Sequence, residues 1–348
     1  MSTAYDGSTS AVADPRGSEG AGPLLEVSDL RVEFRGRDEV AKVLNGVSYH
    51  VDAGETLAVL GESGSGKSVT AQTIMGILDS PPAAVTGGSV KFHGEEMLTA
   101  AESRRVEIRG EGIAMVFQDA LSSLNPVFTV GWQIEEQLRV RRGMSKADAR
   151  KRAVELLDLV RIPNAKRRIK EYPHQFSGGM RQRAMIAMSL ALDPELLIAD
   201  EPTTALDVTV QAQIMDLLAE LRRERNMGMI LITHDLGVVA EVADRIAVMY
   251  AGRIVEQADV HELFRKPGHP YTKALMNSMP RLDLKGQALE TIEGLPPSLA
   301  HIPPGCPFNP RCKRAEDKCR TELPPLHNLG LGRTSACHFA EEVVESHG

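Results

Sequence analysis

No run of the 348 residues approaches the ~18 to 20 consecutive apolar side chains that a bilayer crossing requires, so a membrane-spanning chain is not expected. The N-terminus carries neither a basic region nor an apolar stretch behind it, so the reading includes no signal peptide. Positive charge is not in excess: the formal net charge is −7, which argues against a general nucleic-acid binder. Cysteine is missing from everything before Cys306. A cytoplasmic protein follows, and any membrane role must come through a partner. What remains is ordinary: 25% charged and 42% apolar residues, in a length that suits one large domain plus something smaller, or two domains.

Against that plain background stands Gly61-Glu62-Ser63-Gly64-Ser65-Gly66-Lys67-Ser68. It fits G-x-x-x-x-G-K-[ST], the phosphate-binding loop. An apolar stretch, Glu55 to Leu60, precedes it as a buried strand, and Val69 to Leu78 follows as a helix. Glycines let successive backbone N–H groups aim inward, and the helix N-terminus adds partial positive charge. Lys67 reaches the β- and γ-phosphates in this reading, and Ser68 ligates Mg²⁺.

Residues 1–22 are rich in Ser, Gly, Ala and Asp and read as a disordered tail. Leu24 to Phe34 alternates in part, as an antiparallel strand does. Phe34, where that strand runs out, could stack on adenine or be a half-buried strand residue. Ile113 to Phe117 is a buried strand ending in Gln118, a position that suits either a Mg²⁺ ligand near the attacking water or an ordinary turn residue. From about 129 to 175 the spacing turns helical, and Arg139 to Arg142 reads as a solvated helix face in preference to a lipid contact.

Ser177-Gly178-Gly179 before a long helix forms a second anion site, with a hydroxyl and free N–H groups at the positive end of a dipole. Two such elements in one domain suggest two different ATP molecules. Leu196 to Ala199 is a buried parallel strand with Asp200 and Glu201 at its carboxyl tip. Asp200 would hold the Mg²⁺ shell, and Glu201 would orient or deprotonate the water attacking the γ-phosphate. His234 follows one more buried strand, at a tip where it can reach the γ-phosphate.

Taken together these stretches resemble the ATP-binding subunit of an ABC transporter. The resemblance covers about 24 to 265 and places six elements in the family's order: Phe34 (adenine-stacking loop), Gly61 to Ser68 (Walker A), Gln118 (Q-loop), Ser177 to Gly179 (signature), Asp200-Glu201 (Walker B and base) and His234 (switch histidine), with Asp207 as the D-loop. The usual L-S-G-G-Q reads Phe176-Ser177-Gly178-Gly179-Met180 here, with the serine and glycines intact. The resemblance implies an α/β P-loop fold: a mostly parallel core sheet, an antiparallel β subdomain, a helical subdomain and a Cys-containing C-terminal extension. It makes Glu201, His234 and Gln118 the catalytic residues, with Mg²⁺ on Ser68, Gln118 and Asp200. It assigns ATP to Phe34, Gly61 through Ser68, Val69, Ser177, Gly178, Gly179 and Asp207. It also implies two domains sandwiching two ATPs head to tail, and only one copy of each motif is present in this chain.

The expected boundaries are 1–22 for the tail, 23–265 for the ATPase and 266–348 for the extension. Cys306, Cys312, Cys319 and Cys337 lie in the last of these, and clustered thiols in a cytoplasmic protein argue for a metal site over disulfides. Their spacing lacks the tight C-x₂-C of zinc knuckles, and composition leaves Zn²⁺, an iron–sulfur cluster and free thiols open. Gly268-His-Pro-Tyr-Thr-Lys-Ala-Leu and Pro304-Gly-Cys-Pro-Phe-Asn-Pro-Arg-Cys resemble the tail of oligopeptide/dipeptide importer ATPases. That resemblance implies a [4Fe–4S] cluster on the four cysteines, and since transport needs no redox chemistry on the substrate, its expected role is a structural clasp on the tail. It implies two membrane permeases, an extracytoplasmic binding protein and a second ATPase, different in preference to identical. The protein is then peripheral, on the cytoplasmic face of the cell membrane. Importers of nickel or another small solute share this tail. Soluble relatives in DNA repair or translation fit poorly, since no long coiled coil or second ATPase domain is present.

Overall fold

The computed structural model describes residues 22–204, 206–278 and 292–345. The expected tail therefore lies, apart from Gly22, outside the described residues, as do parts of the expected extension.

Twelve strands are formed among the described residues: β1 (Leu25–Arg35), β2 (Val40–Val51), β3 (Thr56–Leu60), β4 (Ala83–Phe92), β5 (Glu95–Glu96), β6 (Ile113–Val116), β7 (Leu196–Asp200), β8 (Gly228–Ile232), β9 (Arg245–Tyr250), β10 (Arg253–Asp259), β11 (His327–Gly330) and β12 (Arg333–Ser335). They make an antiparallel sheet in the order β2-β1-β4-β5 and a larger sheet in the order β11-β12-β10-β9-β3-β8-β7-β6. Five consecutive strands of the larger sheet, β9-β3-β8-β7-β6, run parallel, while β10, β12 and β11 add antiparallel. The α/β fold with a mostly parallel core and an antiparallel β subdomain is thus observed.

Continuous apolar runs become strands here because both faces of the parallel sheet are covered. Leu196, Ile198, Ile230, Ile232, Leu57 and Val59 point into the core shared with the antiparallel sheet. Leu197, Ala199, Met229 and Leu231 point the other way, into the helical core. That core is completed by Ile134 and Leu138 of helix Val130–Arg142, Ala153 and Leu156 of helix Lys146–Leu159, and Ile186 of helix Gly178–Ser189.

β1 is the expected strand, with a bulge at Asp29, whose backbone is left-handed (φ 48°). Two local readings change. The helix after Ser177 begins at once, at Gly178, because Ser177 is its N-cap. The basic stretch is not simply solvated: Arg141 donates to the carbonyls of Val106 (2.6 Å) and Arg109 (3.2 Å), and Arg142 to that of Leu192 (2.7 Å). Those bonds tie the helical layer to its neighbours.

The C-terminal segment is threaded back into the same sheet. The hairpin β11–β12 pairs with β10, and helix Pro270–Asn277 buries Tyr271 against Tyr250 and Phe308. Within the segment Gly268-His269-Pro270-Tyr271, His269 caps that helix by accepting at Nδ1 from the Tyr271 N–H (3.0 Å), and Pro270 takes its first turn. The Gly268 and His269 N–H groups donate to the two carboxylate oxygens of Glu256 at 2.6 and 2.9 Å. Burial pushes Glu256 up to about 7 against the pull of those donors, and pushes the His269 imidazole down to about 4.

The signs of these two shifts oppose. Glu256 contributes stability that is complete below its ordinary value of 4.5 and is lost as pH rises through about 7. His269 contributes stability that is present above 6.5 and is lost as pH falls toward 4. Glu256→Gln should remove the first leg alone. Between pH 4.5 and 7 the wild type should lose at most about 3 kcal/mol relative to the variant, read as a difference in slope of melting temperature against pH. Parallel curves for the two proteins would show that Glu256 does not titrate in this window.

Candidate nucleotide site

The loop between β3 and helix Lys67–Met75 is wedged against β2 and β9. A side chain at Gly61 (φ 152°) would overlap the Met249 carbonyl, and one at Gly66 (φ 105°) would sit 2.8 Å from the Leu44 side chain. Both positions therefore require glycine. Lys67 is buried, and its ammonium donates to the carbonyls of Gly61 (2.7 Å) and Glu62 (3.0 Å). Burial lowers its pKa while the charges of Glu201, Asp200 and Glu62 oppose that shift. Ser63 and Gly64 are exposed at the loop tip, Ser65 and Gly66 are buried, and Val69 packs half-buried on the core below.

The parallel register brings the other elements to the same edge. Val59 of β3 pairs with Ile232 of β8, which pairs with Asp200 of β7. Ser68, one residue after Lys67, donates its hydroxyl to Asp200 at 3.1 Å. Burial pushes the Asp200 carboxyl up, opposed first by that hydrogen bond, with Glu201 pushing up and Lys67 pulling down. A hydroxyl and a carboxylate held side by side at the loop are a donor set that fits Mg²⁺.

Glu201 takes a left-handed backbone (φ 45°), unusual for a side chain of this size, and its N–H donates to the Ile232 carbonyl at 2.8 Å. Its carboxylate is the meeting point of the site. Gln118 donates to it from the end of β6 at 2.9 Å, the Thr204 hydroxyl donates to the same oxygen at 2.9 Å, and His234 Nδ1 lies 3.6 Å from the other oxygen. Asp235 fixes the histidine's neighbour by capping helix Leu236–Val242 and accepting from Gln211 (2.7 Å). Lys67, Ser68, Gln118, Asp200, Glu201 and His234 are thus gathered at the carboxyl ends of adjacent parallel strands, where α/β sheets bind ligands.

The second anion element stays apart. Ser177, Gly178 and Gly179 line a separate concave surface of about 480 Å³ with Met180, Leu206 and Asp207, to which no phosphate-loop residue contributes. Ser177 accepts from the Met180 N–H (3.4 Å), and Asp207 caps helix Val208–Arg225 by accepting from the Val210 N–H (3.0 Å). The two glycines differ. A Cβ on Gly179 would lie 2.7 Å from Val210, whereas one on Gly178 would meet only Leu206, at 3.7 Å. Packing inside the chain explains Gly179 and leaves Gly178 free for an approach from outside. Phe34 lies half-buried near the end of β1, against the core of the antiparallel sheet.

Cys306, Cys312, Cys319 and Cys337 line one cavity of about 420 Å³ and form no disulfide. Gly305 (φ 71°) allows the approach, since a side chain there would overlap the Cys319 carbonyl, to which the Cys306 N–H donates at 2.8 Å. Burial pushes Cys306 up to about 11 and Cys337 up to about 12, and raises Cys312. Among the described residues no group of three or more His, Cys, Asp or Glu converges closely enough to hold a metal ion.

Three residues at the site carry no role in the sequence reading. Thr204 sits in the loop after Glu201, where nothing in the pattern marks its hydroxyl. Tyr271 accepts at its hydroxyl from the Glu62 N–H (2.9 Å), and Arg311 pairs with the Glu62 carboxylate through both terminal nitrogens (2.6 and 2.9 Å). Both lie in C-terminal stretches that stand out by resemblance alone.

Comparison with known proteins gives matches along most of the chain. The ABC transporter family model matches residues 44–204, and the oligopeptide/dipeptide transporter C-terminal region matches 255–319. The oligopeptide transport ATP-binding protein OppD of Salmonella typhimurium is 52% identical over 317 residues, 91% of this chain and 94% of that protein. OppD of Escherichia coli is 50% identical (93% and 95% covered), and AppD of Bacillus subtilis 48% (92% and 97%). Among solved structures, the dimeric post-hydrolysis state of the ATP-binding cassette MJ0796 bound to ADP and Pi superposes with a TM-score of 0.62 at 29% identity, over 68% of this chain and 99% of that one. CbiO1 of Clostridium perfringens gives 0.59 at 28% identity, over 70% and 90%.

Thr204→Val removes one of the two hydrogen bonds to the same Glu201 oxygen while preserving shape. ATP turnover should fall by about tenfold or more, on the scale of one lost hydrogen bond to a charged group, with KM for ATP nearly unchanged. A rise in KM at constant kcat would place Thr204 in substrate binding instead.

Proposed function

Because this chain belongs to the ATP-binding subunits of ABC transporters, in their oligopeptide/dipeptide branch, we propose that it hydrolyses ATP to drive import of di- and oligopeptides through membrane permeases. The observation that carries the chemistry is the convergence of Lys67, Ser68, Gln118, Asp200, Glu201 and His234 at one sheet edge. The peptide substrate is supported by relatives of about 50% identity named for oligopeptide or peptide transport, aligned over more than nine-tenths of the chain.

In this reading the loop N–H groups and Lys67 hold the phosphates, and Phe34 stacks on the adenine ring. Mg²⁺ on Ser68, Gln118 and Asp200 supplies charge neutralisation at the phosphates. Glu201, with its carboxylate held by Gln118 and Thr204, orients and accepts a proton from the attacking water, and His234 reaches the γ-phosphate from β8. The separation of the Ser177–Gly179 surface from the phosphate loop supports a head-to-tail pair of ATPase domains, each offering its signature, and Asp207 beside it, to the other's ATP. A second, different ATPase subunit is the partner in preference to a second copy.

Membrane docking is supported by an aromatic patch just past Gln118. Phe128 and Trp132 stack at 4.0 Å between ring centroids, both exposed, with Val127 exposed beside them. No described helix is long and apolar enough to cross a membrane. We place the subunit on the cytoplasmic face, with two permeases and an extracytoplasmic binding protein as partners. We read 23–265 as the ATPase and 266–348 as an extension whose described part packs back onto the ATPase sheet.

For the four thiols the reading is a [4Fe–4S] cluster that clasps the C-terminal segment. All-thiolate donors around one cavity fit it chemically. A single tetrahedral ion would need sulfurs about 3.8 Å apart, at Zn–S distances of about 2.3 Å. Anaerobically purified protein should contain iron and acid-labile sulfide; zinc without sulfide would sink this assignment.

The transport reading is tested in proteoliposomes that hold the full assembly. ATP hydrolysis should rise on addition of peptide-loaded binding protein. Stimulation by nickel or another small solute, and not by peptide, would overturn the substrate class. Gly178→Ala should leave the melting temperature unchanged, since its Cβ has room, while abolishing that stimulated hydrolysis. Full activity in this variant would show that no ligand approaches Gly178.

A further inference from the structure

A carboxylate inside a phosphate loop is an electrostatic problem. Glu62 occupies the second position of the loop, and ATP would bring several negative charges to the same backbone. The structure answers from far along the chain. Arg311 grips Glu62 with both terminal nitrogens, at 2.6 and 2.9 Å, and its side chain is only 5% exposed. The guanidinium is itself held in place: it donates to the Tyr250 hydroxyl (3.2 Å) and the Glu293 carbonyl (3.1 Å), and lies about 6 Å from the centres of the Tyr250 and Phe308 rings. The Glu62 N–H is committed as well, donating to Tyr271 at 2.9 Å. Glu62 therefore directs its N–H and its carboxylate toward the C-terminal segment, while its carbonyl still accepts from Lys67 inside the loop.

We propose that Arg311 is a positioning residue for the nucleotide site, neutralising and holding Glu62 so that the loop accepts a polyphosphate. Arg311 immediately precedes Cys312, and Phe308 packs between it and the cavity lined by the four thiols. The segment that bears the cysteines thus reaches the phosphate loop through one side chain. A bidentate, charge-assisted pair with little solvent around it is the kind whose loss is felt, unlike an exposed ion pair. The inference rests on the reading that Gly61 to Ser68 binds the phosphates of ATP.

The test is ATP affinity, measured calorimetrically on the full chain with Mg²⁺, for wild type, Arg311→Ala, Arg311→Lys and the double variant Arg311→Ala with Glu62→Gln. Wild-type binding establishes the loop's function; its absence would overturn the underlying reading rather than this one. Given binding, Arg311→Ala should raise Kd by about tenfold, the scale of a coupled charge pair. Removing the uncompensated charge in the double variant should restore most of that affinity. Arg311→Lys, which keeps the charge and loses the fork, should fall between, and remains a readable variant if the alanine chain folds poorly. The deficit of Arg311→Ala should also shrink at high salt, because the repulsion is screened. Unchanged affinity in Arg311→Ala overturns the proposal. So does a weakened affinity that neither Glu62→Gln nor salt restores, since it would mean that Arg311 only supports the fold of the tail.

Discussion

The register of the parallel strands is the constraint on which the site depends. β3, β8 and β7 are buried on both faces, one face of each on the core shared with the antiparallel sheet and the other on the helical core (β7, β8) or on the core beside β9 (β3). A slip of one residue would exchange every side chain between those cores and is forbidden by packing. Held in that register, the strands end level. The loop after β3, the acids after β7 and the histidine after β8 have nowhere to go except the same edge. The catalytic geometry is thus a by-product of hydrophobic alternation several residues away.

Within that edge, opposing charges are crowded into little water. Burial alone would drive Lys67 toward neutrality and Asp200 toward protonation; the charges of Glu201, Asp200 and Glu62 oppose the first shift, and the Ser68 hydrogen bond and Lys67 oppose the second. Glu201 has the opposite character: it is more open, and its left-handed backbone is fixed by one main-chain hydrogen bond to β8. Its carboxylate is then steered by Gln118 and Thr204, two groups from different segments. A strained residue with side-chain partners from separate elements is able to respond when any of those elements moves.

The C-terminal segment is part of the ATPase fold and not an appendage to it. Its hairpin lengthens the main sheet, Tyr271 and Phe308 complete the core beside β9, and two of its side chains end on Glu62. The Gly268-His269-Pro270-Tyr271 run has a physical reading at each position. Gly268 and His269 present N–H groups to Glu256, His269 caps, Pro270 opens the helix and Tyr271 reaches the loop.

By itself the sequence determined the chemistry. The phosphate loop and the acids behind it are short-range signals, legible because strand, turn and helix onset are local events, whereas Gln118 and His234 are only polar residues at the ends of apolar runs until the resemblance gives them roles. The resemblance carried the rest of the family's order, and the parallel and antiparallel sheets follow from the pattern of apolar runs. Tertiary structure alone decided which groups meet. Thr204 reads as one hydroxyl in a loop until Glu201 is seen to turn back on it. Arg311 is separated by 249 residues from the glutamate it grips, and Tyr271 by 209. The Ser177–Gly179 surface and the phosphate loop look alike in sequence, yet the fold keeps them apart. Local pattern specifies what a residue can do. Only the packing of distant segments specifies what it touches, because that is set by the shared core and not by neighbours along the chain.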